Sequence, residues 1–181
     1  MKRAVIAVVL AACGGSSSTP ADAPPAIDAA IDGGGGLPST CEGACMTTAI
    51  TATLAATRTL NHAVYGVTAA TNELHVEVHL GGAAGCPTET SPTPDYTLVL
   101  GTVPIPTTTA PLTSSGNILD FVGDLLGGPL GAPARSVVIT PVAGSAITSS
   151  TGSVALDVML TFDAGTVSGH LFALHCASLD S

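Results

Sequence analysis

Apolar and polar positions alternate along most of the chain from residue 41 to residue 181. Short runs of Val, Ile, Leu and Thr are separated by Gly, Pro, Asn and Asp. A period of two is typical of half-buried strands, and the intervening residues are typical of turns. About seven short strands in a segment of roughly 140 residues predict an all-β fold, an antiparallel β-sandwich.

The first predicted hairpin spans residues 62–80. One face of its second strand is apolar and should pack in the core, with Leu74, Val76, Val78 and Leu80. The other face is polar and should lie outside, with His75, Glu77 and His79. A turn centred on Thr71-Asn72 would place Val67 opposite Val76 and Val64 opposite His79.

The second predicted hairpin spans residues 153–176, with its turn at Asp163-Ala164-Gly165. If Asp163 pairs with Thr166 across this turn, His170 lies opposite Met159 and diagonal to Asp157. The shared apolar face would then contain Val154, Leu156, Val158, Leu160 and Phe162 with Val167, Gly169, Leu171 and Ala173.

Further strands are predicted at Ala49–Thr59, Tyr96–Val103 and Arg135–Thr140. The segment 117–126 is ambiguous, because its apolar residues fit one helical face and the glycines after it suit a helix end. A single short helix there, or a bent strand followed by a loop, are the two interpretations.

The first 13 residues have the pattern of an export signal. Lys2 and Arg3 precede nine apolar residues, 4–12, which are too few to span a bilayer. The stretch Leu10-Ala11-Ala12-Cys13 resembles the lipobox of bacterial lipoproteins. The resemblance implies removal of residues 1–12 and attachment of diacylglycerol and an acyl chain such as palmitate at Cys13, a stable anchor.

Residues 13–40 are predicted to form a disordered tether, because Gly, Ser, Pro, Ala and Asp dominate them. Gly14 follows the lipobox cysteine; in lipoprotein sorting an aspartate there retains the protein in the inner membrane, so the resemblance implies the outer membrane. The composition, the tether and the Ser91-Pro92-Thr93-Pro94-Asp95 loop also resemble uncharacterised envelope lipoproteins of the myxobacterial kind. That group implies no activity.

Charge and cysteine content narrow the function classes. After removal of Lys2 and Arg3, two basic side chains remain against 13 acidic ones, a net charge of about −11, which argues against nucleic-acid partners. Cys41, Cys45, Cys86 and Cys176 form an even set in an exported domain, so two disulfides are predicted. The three alternative pairings stay open.

The sharpest motif that could carry chemistry is His75-Val76-Glu77-Val78-His79. On a strand, residues two apart share a face at about 6.6–6.8 Å, so Glu77 and His79 can act together. The predicted register would place His62 diagonally beside His79, and His62, Glu77 and His79 are then candidates for a three-ligand zinc site. The alternative is the solvated face of a hairpin.

Other chemistry has no clear signature. The chain has no G-x-S-x-G elbow and no phosphate-binding glycine loop, and with Tyr65 and Tyr96 but no Trp it offers little for sugar stacking. We therefore expect no catalytic residues and no cofactor, and a non-catalytic binding or structural module held at the envelope by lipid. The alternative is a small exported metal-binding protein or metal-dependent enzyme.

Overall fold

The computed structural model of the chain describes residues 36–181. The predicted signal peptide, Cys13 and the tether up to residue 35 lie outside these residues. Two short 3₁₀ helices, Gly43–Met46 and Ala177–Leu179, flank the strands. The strands are β1 Ala49–Thr53, β2 Thr57–Leu60, β3 His62–Thr68, β4 Glu73–Leu80, β5 Tyr96–Pro104, β6 Leu112–Thr113, β7 Ser115–Asp120, β8 Gly131–Pro133, β9 Ser136–Ser145, β10 Ser153–Phe162 and β11 Gly165–His175. Within residues 36–181 no helix is long and apolar enough to cross a membrane.

All these strands join in one sheet, and the all-β prediction is confirmed. The main order is β6-β9-β10-β11-β3-β4-β5-β7-β8, with the β1–β2 hairpin added to β11. The purely antiparallel arrangement is wrong, because residues 173–175 of β11 run parallel to residues 63–65 of β3. A sandwich of two separate sheets is not confirmed.

The sheet curls around a single apolar core. Two facing parts of the curled sheet approach closely at Gly116 of β7, where a Cβ atom would lie 2.6 Å from Leu160 of β10 and 3.0 Å from Val137 of β9. Fully buried side chains come from both facing parts, among them Leu74, Val76, Leu98, Ile118, Leu156 and Leu171. Burial of this apolar surface is the main stabilising contribution.

Both predicted hairpins are present, and each register differs from the prediction by two residues. Val67 faces Leu74 instead of Val76, and His170 faces Asp157 instead of Met159. In the first hairpin Thr68 and Glu73 are the paired residues nearest the turn. Asn72, within that turn, adopts a left-handed conformation with φ 57°. A shift of two residues preserves the strand faces, so the predicted apolar faces are confirmed.

The predicted helix at 117–126 is wrong. Residues up to Asp120 belong to β7, and the buried Asp120 carboxylate accepts hydrogen bonds from the backbone of Val122, Gly123 and Leu126 at 2.6–3.2 Å. Those bonds hold 121–130 as a loop, so the alternative of a strand followed by a loop is confirmed. The predicted strand 49–59 is interrupted at residues 54–56, and the one at 135–140 continues to Ser145.

The four domain cysteines form two disulfides, Cys41–Cys45 and Cys86–Cys176, each with its Cα atoms 5.3 Å apart. The predicted two-disulfide framework is confirmed, and the structure selects one of the three pairings. Cys86 lies in the segment 81–95 between β4 and β5, which we call the covering loop.

Residues 36–38 and the loop 121–130 lie at opposite ends of the domain. At the entry end, Leu37 donates to the Thr107 carbonyl and Gly144 donates to that of Pro38, both at 2.8 Å, so residues 36–38 pack on the domain. At the opposite, distal end lie the β1–β2 turn, the β10–β11 turn and the loop 121–130. Ala55 donates a 3.0 Å hydrogen bond to the Leu125 carbonyl there.

Candidate functional site

The outer face of β4 carries a carboxylate between two imidazoles. Strand alternation places His75, Glu77 and His79 on this face. His75 Nε2 lies 3.0 Å from Glu77 Oε1, and His79 Nε2 lies 3.3 Å from Glu77 Oε2. One carboxylate therefore contacts both rings.

The neighbouring strands extend this row. Across β5, Thr97 faces His79, and its Oγ1 lies 3.1 Å from His79 Nδ1. The contacts are all satisfied when the Thr97 hydroxyl donates to Nδ1 and Nε2–H donates to Glu77. Hydroxyl, imidazole and carboxylate thus stand in series. No local pattern indicated Thr97, which lies 18 residues from His79.

The electrostatics follow from this arrangement. Hydrogen bonds from His75 and then His79 lower the pKa of Glu77 to about 2, against the opposing effect of burial. Burial and then the nearby His79 lower the pKa of the His62 imidazole. Glu77 is therefore the ionised centre of the row.

The covering loop buries part of this row. His79 is 8% exposed and Thr97 4% exposed, although both lie on the outer face of the sheet. The prediction that His79 is exposed is wrong, because the loop folds back over it and leaves a cavity of about 30 Å³ beside Ala83, Gly85 and Pro87. Such a cavity has the scale of one or two water molecules.

The three-ligand zinc site is not assembled. His62 faces His79 directly, not diagonally, and their rings stack with centroids 6.2 Å apart. No group of three or more His, Cys, Asp or Glu side chains in residues 36–181 is placed to hold a metal ion. The structure does bring Glu77 and His79 together, and it leaves the buried Nδ1 of His62 without a hydrogen-bond partner.

The remaining histidines have structural partners. His170 Nδ1 lies 2.7 Å from Asp157 Oδ1, and Nε2 lies 2.8 Å from the Cys45 carbonyl, which joins β11 to the first 3₁₀ helix. His175 contacts Asp180 at 2.9 Å and meets the Tyr65 ring edge-on. Both positions suit packing.

Sequence reasoning missed a second polar cluster at the distal end. Tyr96 donates to Asp124 at 2.6 Å, and Arg58 pairs with Asp124 while lying 5.7 Å from the Tyr96 ring centroid. The hydrogen bond to Asp124 raises the pKa of Tyr96. The three residues come from distant segments, so no local motif could have revealed them.

Comparison with protein-family models, with curated proteins and with solved structures finds no match to this chain.

Proposed function

We propose that this chain is an exported lipoprotein of a bacterial envelope, anchored through Cys13 to the outer membrane. Its β domain acts as a non-catalytic binding or structural module. The observation that carries the proposal is the pairing of all four domain cysteines with one another. Disulfides persist in oxidising compartments outside the cytoplasm.

The same pairing supports a separate role for Cys13. Cys41 pairs with Cys45 and Cys86 pairs with Cys176, so none of the four uses Cys13 as its partner. A fifth cysteine directly after Leu10-Ala11-Ala12 is what lipid attachment requires. The proposal thus accounts for all five cysteines.

The surroundings of the Thr97–His79–Glu77 series favour a non-catalytic domain. A catalytic hydroxyl must reach a substrate, but Thr97 is 4% exposed and lies on the face that the covering loop encloses. The cavity beside His79, about 30 Å³, is far smaller than the roughly 300–1,000 Å³ of ordinary ligand pockets.

The test of the anchor is Cys13→Ser expressed in a Gram-negative host, with Ser16→Ala as the matched control. We expect the control to gain the mass of the lipid and to sediment with outer-membrane fractions, and Cys13→Ser to do neither. Membrane association and a lipid mass that persist in Cys13→Ser would refute the proposal.

A second candidate function is metal binding on the outer face of β4. Zinc ligands lie about 2.0–2.2 Å from the ion, so two of them on a tetrahedral ion are about 3.3–3.6 Å apart. Glu77 Oε2 and His79 Nε2, 3.3 Å apart, lie at the lower end of this range. The unpartnered Nδ1 of His62, whose ring stacks on His79, is the further observation that favours it.

Zinc titration of the purified chain tests the second candidate. If it is right, zinc raises the melting temperature of the wild type and of the His170→Ala control, but not that of His79→Ala. If zinc stabilises all three equally, or none of them, Glu77 and His79 do not form a metal site.

A further inference from the structure

The distal end exposes a cluster of large apolar side chains on one loop. Phe121 is 44% exposed, Val122 56% and Leu130 62%. Their loop, 121–130, directly follows β7. The backbone N–H of Asp120 donates a 2.8 Å hydrogen bond to the Leu130 carbonyl and so joins the two ends of the loop. Large exposed apolar side chains that are grouped on one loop mark a contact surface more often than singly scattered ones do.

This loop is held in place. The buried Asp120 carboxylate accepts hydrogen bonds from three backbone N–H groups of the loop. Asp124 of the loop forms an ion pair with Arg58 and accepts a hydrogen bond from Tyr96. Leu125 is fully buried in the core. The exposure of the apolar side chains is therefore built by several specific contacts.

A groove lies beside the same loop, which contributes Leu126 and Pro129 to its lining. It has a volume of about 410 Å³ and is lined largely by apolar residues, including Leu126, Pro129 and Phe162. Arg135 and Asp163 form an ion pair at its rim.

This end is less acidic than the chain as a whole but still carries a formal net charge of −2, from two basic residues, Arg58 and Arg135, against four acidic ones, Asp95, Asp120, Asp124 and Asp163. Arg58 and Arg135 are the basic residues of the sequence from 36 to 181, and both lie here, each paired with an aspartate. Asp95 is a neighbouring acidic residue, and its carbonyl accepts the N–H of Phe121. This end therefore suits a surface without net negative charge.

The size of the apolar cluster distinguishes between occupants. Three partly exposed side chains offer at most a few hundred Å² of apolar surface, since even a whole aromatic side chain buries about 150–250 Å². A stable protein partner needs about 800 Å² on each side. Shallow insertion into a bilayer needs less, because a lipid anchor already keeps the domain at high effective concentration.

We propose that Phe121, Val122 and Leu130 insert into the surface of the same zwitterionic bilayer that carries the anchor, so that the domain lies against the membrane. The inference rests on the proposed lipid anchor. The 23 residues from Gly14 to Gly36 can span up to about 75 Å. This reach exceeds the length of the 11-residue β11, roughly 36 Å, which spans the domain between its two ends. The tether therefore allows the distal loop to reach the membrane although the tether joins the domain at the opposite end.

The test uses single-tryptophan variants, because the chain contains no tryptophan. Val122→Trp reports on the distal loop, and Leu174→Trp, at a position that is 54% exposed near the opposite end of the domain on β11, is the matched control. Each full chain is coupled through Cys13 to a maleimide lipid in phosphatidylcholine vesicles. We expect brominated phosphatidylcholine to quench the emission of Val122→Trp and shift it to shorter wavelength, with no change for Leu174→Trp.

Hydrogen exchange on the unmodified sequence provides the second measurement. Residues 121–130 should gain protection when the chain is coupled to vesicles, compared with the chain coupled to maleimide polyethylene glycol. Equal quenching of the two variants, or no added protection, would overturn the inference. If the emission of Val122→Trp is quenched only by separate brominated vesicles to which no protein is coupled, the loop contacts a neighbouring bilayer. That result would overturn the proposed insertion into the bilayer that carries the anchor. Chemical coupling attaches a lipid at Cys13 whether or not cells lipidate that residue, so the vesicle experiment tests only the loop. The Cys13→Ser experiment in cells tests the proposed anchor separately.

Discussion

Cys86 and Cys176 lie 90 residues apart in sequence, and their disulfide fastens the covering loop to the end of β11. The loop then encloses His79, which strand alternation alone would have left on an open face. A bond at the end of the last strand thus controls access to the polar row on β4.

The two disulfides should differ in their contribution to stability. In the chain-entropy model, removing Cys86–Cys176 with a double serine substitution should lower the free energy of unfolding by about 4–5 kcal/mol, and removing Cys41–Cys45 by about 2 kcal/mol. The difference follows from sequence separations of 90 and 4 residues. Urea denaturation measures both. Equal costs would contradict an origin in loop closure.

Alkylation of the denatured, unreduced chain checks the framework itself. All four domain cysteines should resist a thiol reagent, because each is bonded to another. Mass spectrometry of peptides would detect modification at Cys41, Cys45, Cys86 or Cys176. Two or more modified sites would exclude the two-disulfide domain.

The two faces of β4 should respond differently to truncation. Val76→Ala should lower the free energy of unfolding by about 1–3 kcal/mol, because it leaves a cavity at a fully buried position. His75→Ala removes a half-exposed contact with Glu77 and should cost less than about 1 kcal/mol. Denaturant unfolding of both variants provides the comparison. A neutral Val76→Ala with a severe His75→Ala would mean that the faces are inverted.

Glu77 should make the domain sensitive to acid. Its pKa in the folded chain is about 2, below its ordinary value of 4.5, so its stabilising effect is complete above pH 4.5. That effect, on the order of 2–3 kcal/mol, is lost as the pH falls towards 2. Glu77→Gln should therefore be less stable than the wild type at pH 7 and should approach it at pH 2.

The control for this measurement is Glu89→Gln, which neutralises an exposed carboxylate of the covering loop. Urea unfolding at several pH values gives the stability difference from the wild type for each variant. A difference for Glu77→Gln that stays constant from pH 7 to pH 2 would show that Glu77 is not held ionised by its neighbours.

Asp120 should be essential for the distal loop. Asp120→Ala leaves the N–H groups of Val122, Gly123 and Leu126 without their acceptor and should cost about 2–4 kcal/mol. Asp157→Ala, which removes an exposed hydrogen bond with His170 on the β10–β11 pair, should cost less than about 1 kcal/mol. Hydrogen exchange at residues 121–126 should rise in Asp120→Ala alone. Unchanged exchange there would show that the carboxylate does not organise the loop.

Prediction from sequence succeeded where the controlling interaction is local. Alternation along Leu74–Leu80 identified both faces of β4, and the apolar faces of the 153–176 hairpin are as predicted. It failed at the register of both hairpins, because a shift of two residues leaves every side chain on the same face. It also failed at residues 121–126, where the Asp120 carboxylate outcompetes a helical pattern.

The sequence by itself determined that this domain is all-β, which strand faces meet in its core, and that its four cysteines suit two disulfides. A period of two and an even cysteine count are properties of the chain that need no knowledge of distant contacts. Only the tertiary structure decided that β3 runs parallel to β11, which cysteines pair, and that the covering loop buries His79 beside Thr97. Those features depend on residues far apart in sequence, whose approach is set by how the whole sheet curls and packs.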